Sequence, residues 1–420
     1  MSSTDISNPG GFSARYDDVF IINGARTPFG EFMGALGSVS PTDLGIIASR
    51  AALERSGVAP ADVGHVTFAN IMQASFDAIY LPRHISLYCG IPRAVGALMV
   101  QRICGSGFES IIAAVEQVVL GKAGLALAGG SENMTLSPTV SFGNRQGYRL
   151  GQPGFGDMLW EGLKDPAVGC LMGETAENIA KKYGITREEV DAYALRSHTL
   201  ARERSLDGTM AEELVPVASG KIEVEGLATR KYRVSPKGFT LERDEHIRET
   251  DAAGLAKLWP HFAADGVQTA GNSSGIVDGA AAVVVAGGEA VRSRGLTPLA
   301  RVVASAAAGV DPETMGMGPV PAIKQVLEVA GLAMSDIDLF EINEAFGAQI
   351  LGVIKELDLD LERLNVNGGV IAIGHPLAAT GTRLTHTLAL ELRRRSTRYG
   401  IASACIGGGQ GTAVLIESVS

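Results

Sequence analysis

The sequence has few cysteines, few aromatic residues, no excess of basic residues and no long apolar run. Its four cysteines are far apart and include no Cys-x-x-Cys pair, which argues against a disulfide framework and against a structural zinc site. The 36 basic residues are outnumbered by 46 acidic ones, so nucleic acid is not an expected partner, although a local pocket for one phosphorylated ligand remains compatible with this balance. No apolar run approaches the length of a membrane span, so none is expected.

Residues 1–16 lack the features of a targeting segment. They are rich in Ser and Gly, and Arg15 is their only basic residue. They contain neither the apolar core of a secretory signal nor the arginines of a mitochondrial transit peptide. The expected location is therefore the cytoplasm.

Length and composition predict an α/β protein with more than one core. The chain has 420 residues, of which 46% are hydrophobic, and this is too long for one ordinary core. Its 53 glycines and 5% aromatic residues fit a fold with many tight turns between strands and helices. Both halves alternate between strand and helix patterns, which predicts a mostly parallel sheet with helices on its faces.

The expected elements follow from runs of apolar residues and their spacing. In the first half, strands are expected at 19–23, 65–69, 98–103 and 124–129, and helices from Pro41 and over 108–120. In the second half, strands are expected at 280–286, 299–306, 339–343, 369–373, 399–405 and 412–417, and helices over 322–330 and 381–393. Residues 95–103 are expected to form a short buried segment.

The middle of the chain differs in character from both halves. Residues 141–157 are rich in Gly and polar residues, residues 230–248 are dense in charge, and helices are expected over 175–183 and 187–204. This pattern predicts that the region is a lid-like insertion. We therefore predict an N-terminal half made of 1–134 and 277–298, an inserted region of 135–276, and a C-terminal half of 299–420. The similar alternation of strands and helices in the two halves suggests duplication, although their sequence similarity is weak and is seen mainly between the glycine-rich segments 128–132 and 286–289.

Cys104 lies where an apolar segment meets a glycine-containing turn and a predicted helix. A helix N-terminus lowers the pKa of a thiol, so this position suits a nucleophile. Buried cysteines are nonetheless common in protein cores, and the local pattern alone leaves a structural role open.

Three further segments place polar residues just after a predicted strand, where ligands gather in open parallel sheets. Asn343 is a neutral donor, although it could equally cap a helix. His375 has an ordinary pKa near neutrality and could act as a base, although a single histidine is often structural. Cys405 is followed closely by the glycines 407–409, whose N–H groups could bind an oxyanion.

Taken together and in order, these segments resemble the four catalytic blocks of the thiolase family. The blocks are Cys104-Gly105-Ser106-Gly107, Asn343-Glu344-Ala345-Phe346, Gly374-His375-Pro376 and Cys405-Ile406-Gly407-Gly408-Gly409. The similarity extends from residues 26–30 to residues 409–411, and residues 77–84 resemble the 3-ketoacyl-CoA thiolase branch, including its mitochondrial medium-chain members.

The resemblance implies two βαβαβαββ halves that form a five-layer α/β/α/β/α core with an inserted loop domain, in a homodimer or homotetramer. It also implies an acyltransferase that cleaves 3-ketoacyl-CoA with CoA, or condenses two acetyl-CoA to acetoacetyl-CoA. Coenzyme A and acyl-CoA would be substrates, and no metal or permanently bound cofactor is implied.

The resemblance assigns a role to each block. Cys104 would be the acylated nucleophile and His375 its base. Cys405 would act as acid and base on the α-carbon of the second substrate or on the CoA sulfur. Asn343, through a water molecule, would form one oxyanion hole with His375, and the backbone N–H groups of Cys104 and Gly407 would form the other.

The resemblance also implies substrate contacts. Ser274 would lie near the pantetheine, Arg248 near the adenine end of CoA, and Met315 in the pocket lining. Leu171 and Met172 occupy a segment where many short-chain members have a histidine before Met-Gly, so the preferred acyl length stays open.

Two other functions remain possible on this fold. A decarboxylating ketoacyl synthase uses Cys with two His, or Cys, His and Asn, and lacks the second cysteine, so Cys405 argues against it. A catalytically silent, lipid-binding member usually loses a catalytic residue, whereas all four are present here.

Overall fold

The computed structural model describes residues 11–152 and 154–419. Residues 1–10 of the predicted N-terminal half lie outside the described residues. The strands, in chain order, are β1 (Gly11–Arg15), β2 (Val19–Arg26), β3 (Gly30–Glu31), β4 (His65–Ala69), β5 (Ala97–Val100), β6 (Leu125–Glu132), β7 (Thr139–Val140), β8 (Gly156–Asp157), β9 (Lys164–Asp165), β10 (Cys170–Leu171), β11 (Val217–Ala218), β12 (Gly220–Ile222), β13 (Arg230–Tyr232), β14 (Thr240–Leu241), β15 (Val277–Gly287), β16 (Ala300–Gly309), β17 (Leu339–Ile342), β18 (Tyr399–Ile406) and β19 (Gln410–Ser418).

The α-helices connect these strands, together with a few single 3₁₀ turns. In chain order they are α1 (Pro41–Arg55), α2 (Leu81–Tyr88), α3 (Ser106–Val119), α4 (Met158–Gly162), α5 (Met172–Tyr183), α6 (Arg187–Leu206), α7 (Ala252–Ala256), α8 (Gly288–Arg294), α9 (Pro319–Ala330), α10 (Gly347–Leu357), α11 (Val370–Ile373) and α12 (Leu377–Arg395). No helix in the described part of the chain is both long and apolar enough to cross a membrane.

The long strands form one mixed sheet with an internal repeat. Its order is β17-β18-β19-β16-β2-β15-β6-β4-β5. The order and directions of β2-β15-β6-β4 recur in β16-β19-β18-β17, with two antiparallel pairs followed by a parallel one. The two copies meet where Phe20 and Ile21 pair with Arg301 and Ala300. This repeat agrees with the predicted duplication.

The expectation of a mostly parallel sheet is wrong. β18 and β19 are antiparallel because the turn between them spans only residues 407–409, whereas a parallel pair needs a long crossover connection. β15 likewise runs antiparallel to both of its neighbours, β2 and β6. Parallel pairing is confined to β4 with β5 and β6, and to β17 with β18, among these long strands.

The halves stack into five layers. Helices α3 and α12 lie between the two copies of the sheet, where Phe108 and Leu388 pack against residues of β6 and β18. Helices α1 and α2 cover the outer face of the first copy, and α9 and α10 cover the second. All residues of β6 are buried, as expected for a strand covered on both faces.

The segment between β6 and β15 builds small two-stranded sheets and additional helices. The pairs are β7–β8, β9–β10, β11–β14 and β12–β13. Helices α5 and α6 pack onto the outer side of the C-terminal half, where Ile179 and Val190 join the same apolar cluster as Ile350. The insertion therefore packs against α10 and α11 of the C-terminal half.

Two expected elements differ from the structure. Residues 370–373 form the one-turn helix α11 and not a strand, because a short buried apolar run fits either structure. Contrary to expectation, residues 95–103 are not buried. β5 has only β4 as a neighbouring strand among the described residues, and Leu98 is 42% exposed. The other expected strands and helices are present, with ends that differ by a few residues.

Candidate active site

Cys104 sits on a strained turn at the start of α3. Ile103 adopts a left-handed conformation with φ of 44°, which is uncommon for a β-branched residue. The turn is held by Ser106, whose Oγ accepts from the Arg102 N–H at 2.7 Å and donates to the Ile103 carbonyl at 2.6 Å. Strain that surrounding contacts maintain in this way is typical of functional sites.

The pKa of Cys104 differs from the sequence-based expectation. Burial raises the pKa of this thiol to about 11, since only 9% of the residue is exposed. The backbone N–H groups of Gly407 and Cys104 favour the thiolate and lower the pKa, but by less than burial raises it. The effect of burial on the pKa of Cys104 therefore outweighs the effect expected from the helix start. Cys104 is a protonated thiol that needs a base.

His375 is oriented by contacts on both sides of its ring. Nδ1 lies 2.6 Å from Oγ1 of Thr380, and Nε2 lies 3.4 Å from Nδ2 of Asn343. Because Nδ2 can only donate, Nε2 is the acceptor and Nδ1 carries the proton. Burial lowers the pKa of His375 to about 4, so the ring is neutral at physiological pH and Nε2 can accept a proton.

Asn343 follows β17 directly. Its backbone N–H donates to the Ser403 carbonyl at 2.9 Å, which fixes the residue beside β18. The residue is fully buried, and its Oδ1 has no hydrogen-bond partner among the residues that the structure describes. A buried amide oxygen of this kind is a ready acceptor for a ligand or water hydrogen.

Cys405 lies near the end of β18, before a turn that only glycine adopts without strain. Gly408 and Gly409 have φ of 81° and 82°. The Cys405 thiol is fully buried and clusters with Met315 and Ala345. Burial raises its pKa strongly, and the neighbouring Cys104 raises it further, so the two thiols interact electrostatically.

One open cleft reaches His375, whereas Cys104, Asn343 and Cys405 lie outside its lining. It encloses about 680 Å³ of space, part of which is open to solvent. Its lining is mainly apolar and consists of Met134, Trp160, Leu163, Leu171, Met172, Gly173, Phe262, Ser273, Ser274, Gly275, Ile276, Phe346, His375 and Leu377. The structure thus brings His375, Ser274, Leu171 and Met172 together, with Met315 behind them beside Cys405.

Arg248 does not line this cleft. Its exposed guanidinium donates to Nε2 of His246 at 3.0 Å and borders a separate surface cleft with His198 and Arg202. The His246 ring packs against Gly275 so closely that a side chain at Gly275 would collide with it. Arg248 is therefore connected to the main cleft through His246.

Comparison with known proteins decides the family. Residues 19–289 match the model of the thiolase N-terminal domain, and residues 296–418 match that of the thiolase C-terminal domain. The chain belongs to the thiolase family. It is 45% identical to human mitochondrial 3-ketoacyl-CoA thiolase over 96% of this chain and 98% of that protein.

Other relatives support the same family assignment. A beta-ketothiolase of Cupriavidus necator is 42% identical over 96% of this chain and 99% of its own length. The crystal structure of human mitochondrial 3-ketoacyl-CoA thiolase superposes with a TM-score of 0.91 at 43% identity, covering 98% of this chain and 99% of that one. The five-layer thiolase fold expected from the four blocks is thereby confirmed.

The sequence reasoning missed a buried carboxylate that links the blocks of this thiolase. The carboxylate of Glu344 accepts from Tyr193 Oη and Ser197 Oγ, both at 2.8 Å, and from Asn365 Nδ2 at 2.7 Å. It also accepts from the backbone N–H of Ile371 at 3.3 Å. Glu344 therefore connects the loop that contains Asn343 to helix α11, which precedes His375. Its place beside Asn343 in the motif was the only available signal.

A second carboxylate, Glu132, was also missed. It accepts from the N–H of Met72 at 2.9 Å, from that of Ala378 at 3.2 Å and from Asn70 Nδ2 at 3.1 Å. Burial raises its pKa to about 8. Glu132 joins the end of β6 to the start of α12, just after His375, and the signal in the sequence was a charged residue ending a small-residue strand.

His, Cys, Asp and Glu side chains form no cluster of three that could hold a metal ion within residues 11–152 and 154–419. The absence of a resident metal or cofactor stays a prediction.

Proposed function

We propose that this thiolase is an acetyl-CoA C-acyltransferase. It cleaves 3-ketoacyl-CoA with CoA to acetyl-CoA and a shortened acyl-CoA, and it catalyses the reverse condensation of two acetyl-CoA. The observation that carries the proposal is the pair of buried, interacting thiols, Cys104 and Cys405, together with a neutral His375 in the lining of the cleft. Human mitochondrial 3-ketoacyl-CoA thiolase, whose structure with CoA superposes at a TM-score of 0.90, supports the substrate class.

The first half-reaction transfers the acyl group to Cys104. Nε2 of His375 takes the thiol proton, and the sulfur attacks the 3-keto carbon. The bond between the 2- and 3-carbons then breaks, and its electron pair forms the enolate of acetyl-CoA. Cys405 donates its proton to the 2-carbon of this enolate, which releases acetyl-CoA and leaves Cys405 as a thiolate. A thiol whose pKa is raised by burial and by the other thiol regains a proton readily.

The second half-reaction restores both residues. The thiol of CoA gives its proton to the Cys405 thiolate, and the CoA sulfur attacks the carbonyl of acyl-Cys104. Cys104 leaves as a thiolate and recovers its proton from the His375 imidazolium. The low pKa of His375, about 4, makes its protonated form a strong acid for this step.

Two oxyanion sites stabilise the charge that develops. The N–H groups of Cys104 and Gly407, which already favour the Cys104 thiolate, would hold the oxygen of the acyl group. His375 and a water molecule at Asn343 would hold the enolate oxygen. An oxyanion hole is commonly worth about 3 kcal/mol of barrier, so a cysteine without these donors would be a poor catalyst.

We assign the CoA contacts from their positions. Ser274, Leu171 and Met172 line the cleft and would contact the pantetheine and acyl portions. Met315 would pack behind the acetyl unit beside Cys405. Arg248, outside the cleft and exposed, would meet the adenine end of CoA, with CoA and acyl-CoA as substrates and no permanently bound cofactor.

We propose a homodimer or homotetramer. The support is the edge strand β5, where Leu98 is 42% exposed, and two exposed aromatic side chains shortly before α2, those of Phe76 and Tyr80. Exposed apolar edges of sheets are prone to pair with another chain. Light scattering on the purified protein would distinguish these assemblies from a monomer.

The cytoplasm stays the proposed compartment. The human relative is named for the mitochondrion, so cell fractionation must decide.

The test is a thiolysis assay with acetoacetyl-CoA and CoA, with Cys104→Ala as the control. We expect cleavage by the wild type and loss in the variant. Retained activity in Cys104→Ala would remove the nucleophile assignment. Condensation of malonyl thioesters without cleavage of acetoacetyl-CoA would point instead to a decarboxylating ketoacyl synthase, and binding of acyl-CoA without turnover would point to a silent lipid-binding protein.

A further inference from the structure

The side chain of Glu132 is fully buried and accepts four hydrogen bonds. Its Oε1 accepts from the backbone N–H of Met72 at 2.9 Å and from Nδ2 of Asn70 at 3.1 Å. Its Oε2 accepts from the backbone N–H groups of Ala378 at 3.2 Å and Ile71 at 3.3 Å. One side chain therefore joins the end of β6 to the loop after β4 and to the first turn of α12.

Two of these segments form walls of the apolar cluster around Cys104. Met72, from the loop after β4, and Leu377, the first residue of α12, both belong to that cluster. The end of β6 lies against the same turn of α12, because a side-chain carbon at Gly130 would collide with the backbone of that turn. Glu132 therefore fixes both walls relative to β6.

The contacts of Glu132 depend on its two acceptor oxygens. Both oxygens of a carboxyl group retain acceptor capacity whether or not it is protonated, so each can hold its donors. A glutamine has the same size but only one acceptor oxygen, and its NH₂ group would face N–H donors. A buried donor left without a partner costs about 1 kcal/mol or more, so a glutamine here would release one of the two walls.

Glu132 also acts on Cys104 electrostatically. Burial is the main cause of the raised pKa of the Cys104 thiol, and the negative charge of Glu132 raises that pKa further. Burial in turn raises the pKa of Glu132 to about 8, with a smaller contribution from Asp278. The carboxyl group is therefore mainly neutral at pH 7 and charged at pH 9.5, and it opposes the Cys104 thiolate at the higher pH.

The other titratable groups near the two residues keep their charge between these pH values. Burial and the neighbouring Cys104 raise the pKa of Cys405 strongly, so that thiol stays protonated. Burial lowers the pKa of His375 to about 4, so its ring stays neutral, and burial raises the pKa of Asp278 to about 6, so Asp278 stays charged. Among the described residues that act on Cys104, Glu132 is thus the one whose charge changes in this range.

We propose that Glu132 is a positioning residue for Cys104, holding Met72 and Leu377 in place around the sulfur through the loop after β4 and the first turn of α12. This inference rests on the proposed function, in which Cys104 carries the acyl group. Glu132 acts through these walls on the placement of the sulfur. Its loss should therefore lower kcat and leave KM for CoA close to the wild-type value.

The first measurement is thiolysis of acetoacetyl-CoA at pH 7, where Glu132 is mainly uncharged. In Glu132→Gln, kcat should fall about tenfold because the reacting sulfur is less well placed, while KM for CoA should stay close to that of the wild type. Circular dichroism and thermal unfolding show whether the variant is folded. If it is not, Glu132→Asp takes its place, since it keeps two oxygens but is one carbon shorter and should also lower kcat.

The second measurement is the rate at which iodoacetamide alkylates Cys104, followed by peptide mass spectrometry at pH 7 and pH 9.5. The rate in Glu132→Gln divided by the wild-type rate should be about threefold larger at pH 9.5 than at pH 7. The reason is that at pH 9.5 the wild type has a negative charge near the thiol that the variant lacks.

The matched control is Glu177→Gln. Glu177 is also buried and also accepts from backbone N–H groups, those of Val267 and Gln268. It lies in α5, and the described charges that act on Cys104 do not include it. The ratio of its alkylation rate to that of the wild type should therefore be the same at both pH values.

A kcat equal to that of the wild type in the folded Glu132 variant would overturn the positioning role. An alkylation ratio that does not change with pH in Glu132→Gln would also overturn it, because the loss of a purely structural contact gives that result. If the wild-type enzyme cleaved no 3-ketoacyl-CoA while the alkylation of Cys104 responded as expected, the proposed function would fail and the effect of Glu132 on Cys104 would stand.

Discussion

The imidazole Nδ1 of His375 lies 2.6 Å from Oγ1 of Thr380, in the first turn of α12. The same hydroxyl donates to the Pro376 carbonyl at 3.1 Å, so its proton is engaged and its lone pair accepts from Nδ1–H. This contact holds His375 in the tautomer whose Nε2 faces Asn343. Thr380 is therefore a positioning residue for the proposed base.

Replacing the Thr380 hydroxyl should lower catalysis without unfolding the protein. In Thr380→Val the ring loses its partner, and we expect kcat for thiolysis to fall about tenfold, equivalent to 1.4 kcal/mol of barrier. Thr380→Ser retains the hydroxyl and should recover most of the rate. If Val and Ser variants had equal kcat and equal pH profiles, the hydroxyl would have no part in orienting His375.

Removing the second thiol should separate the two chemical steps. Cys405→Ala leaves Cys104, His375 and the Gly407 N–H in place, so acetyl-CoA should still acylate Cys104, with the departing CoA thiolate taking its proton from the His375 imidazolium. Condensation to acetoacetyl-CoA should be lost, because no group then removes the α-proton. Mass spectrometry of the intact protein measures the acyl label, and a coupled assay measures condensation. An unlabelled Cys104 in this variant would contradict the assignment, and so would normal condensation.

His386 offers a test of how burial affects acid stability. Burial lowers its pKa to about 4, and its Nε2 lies 3.3 Å from Oδ1 of Asn23. The charged groups that act on it are Glu213, which favours the protonated form, and Arg26, Arg55 and Arg393, which oppose it. The folded pKa lies below the ordinary 6.5, so the unfolded chain binds the proton first and stability is lost as pH falls from 6.5 toward 4.

The measurement is urea unfolding of wild type and His386→Gln at pH 7.5 and pH 4. A shift of 2.5 units (6.5 − 4) corresponds to about 3 kcal/mol, so the variant should lose roughly that much less stability between the two pH values. The difference between the two proteins isolates His386 from the other groups, including Glu132 and Glu341, whose raised pKa values act in the opposite direction. Parallel pH dependences in the two proteins would refute the prediction.

Local sequence pointed to the four candidate blocks because each one is a short segment at the end of a strand or the start of a helix. Cys104, Asn343 and Cys405 could be found this way, since backbone geometry within a few residues fixes their positions. Hydrophobic spacing also predicted α3 and β4. The helix turn α11 was misread because its four apolar residues are buried on all sides, which hides the helical period.

Contacts between distant segments could not be predicted from the same patterns. Glu344 is held by Tyr193 and Ser197, which lie about 150 residues earlier in the insertion. The pKa of Cys104 depends on burial by the whole fold, which reversed the direction expected from the helix start alone. Strand β5 was predicted to be buried from its apolar residues, but burial also depends on which strands become its neighbours.

His246 should affect the use of CoA through Arg248. The Nε2 atom of His246 accepts a hydrogen bond from Arg248 at 3.0 Å, and Oε1 of Glu31 lies 3.4 Å from its Nδ1. The His246 ring packs against Gly275. The carbonyl of Gly275 in turn accepts from the backbone N–H of His375 at 2.9 Å. His246→Phe keeps a ring against Gly275 but removes the acceptor that orients Arg248.

We expect KM for CoA in His246→Phe to rise about fivefold relative to KM for pantetheine, since pantetheine lacks the adenine end and a lost hydrogen bond to a charged group costs about 1 kcal/mol or more. His246→Gln supplies an amide oxygen in place of Nε2 and should restore the ratio. A matching rise in KM for both thiols would mean that His246 supports the cleft at Gly275 and does not act through Arg248. Arg248→Ala should give the same CoA-specific rise as His246→Phe, and the double variant should add little to it, because both changes remove one interaction.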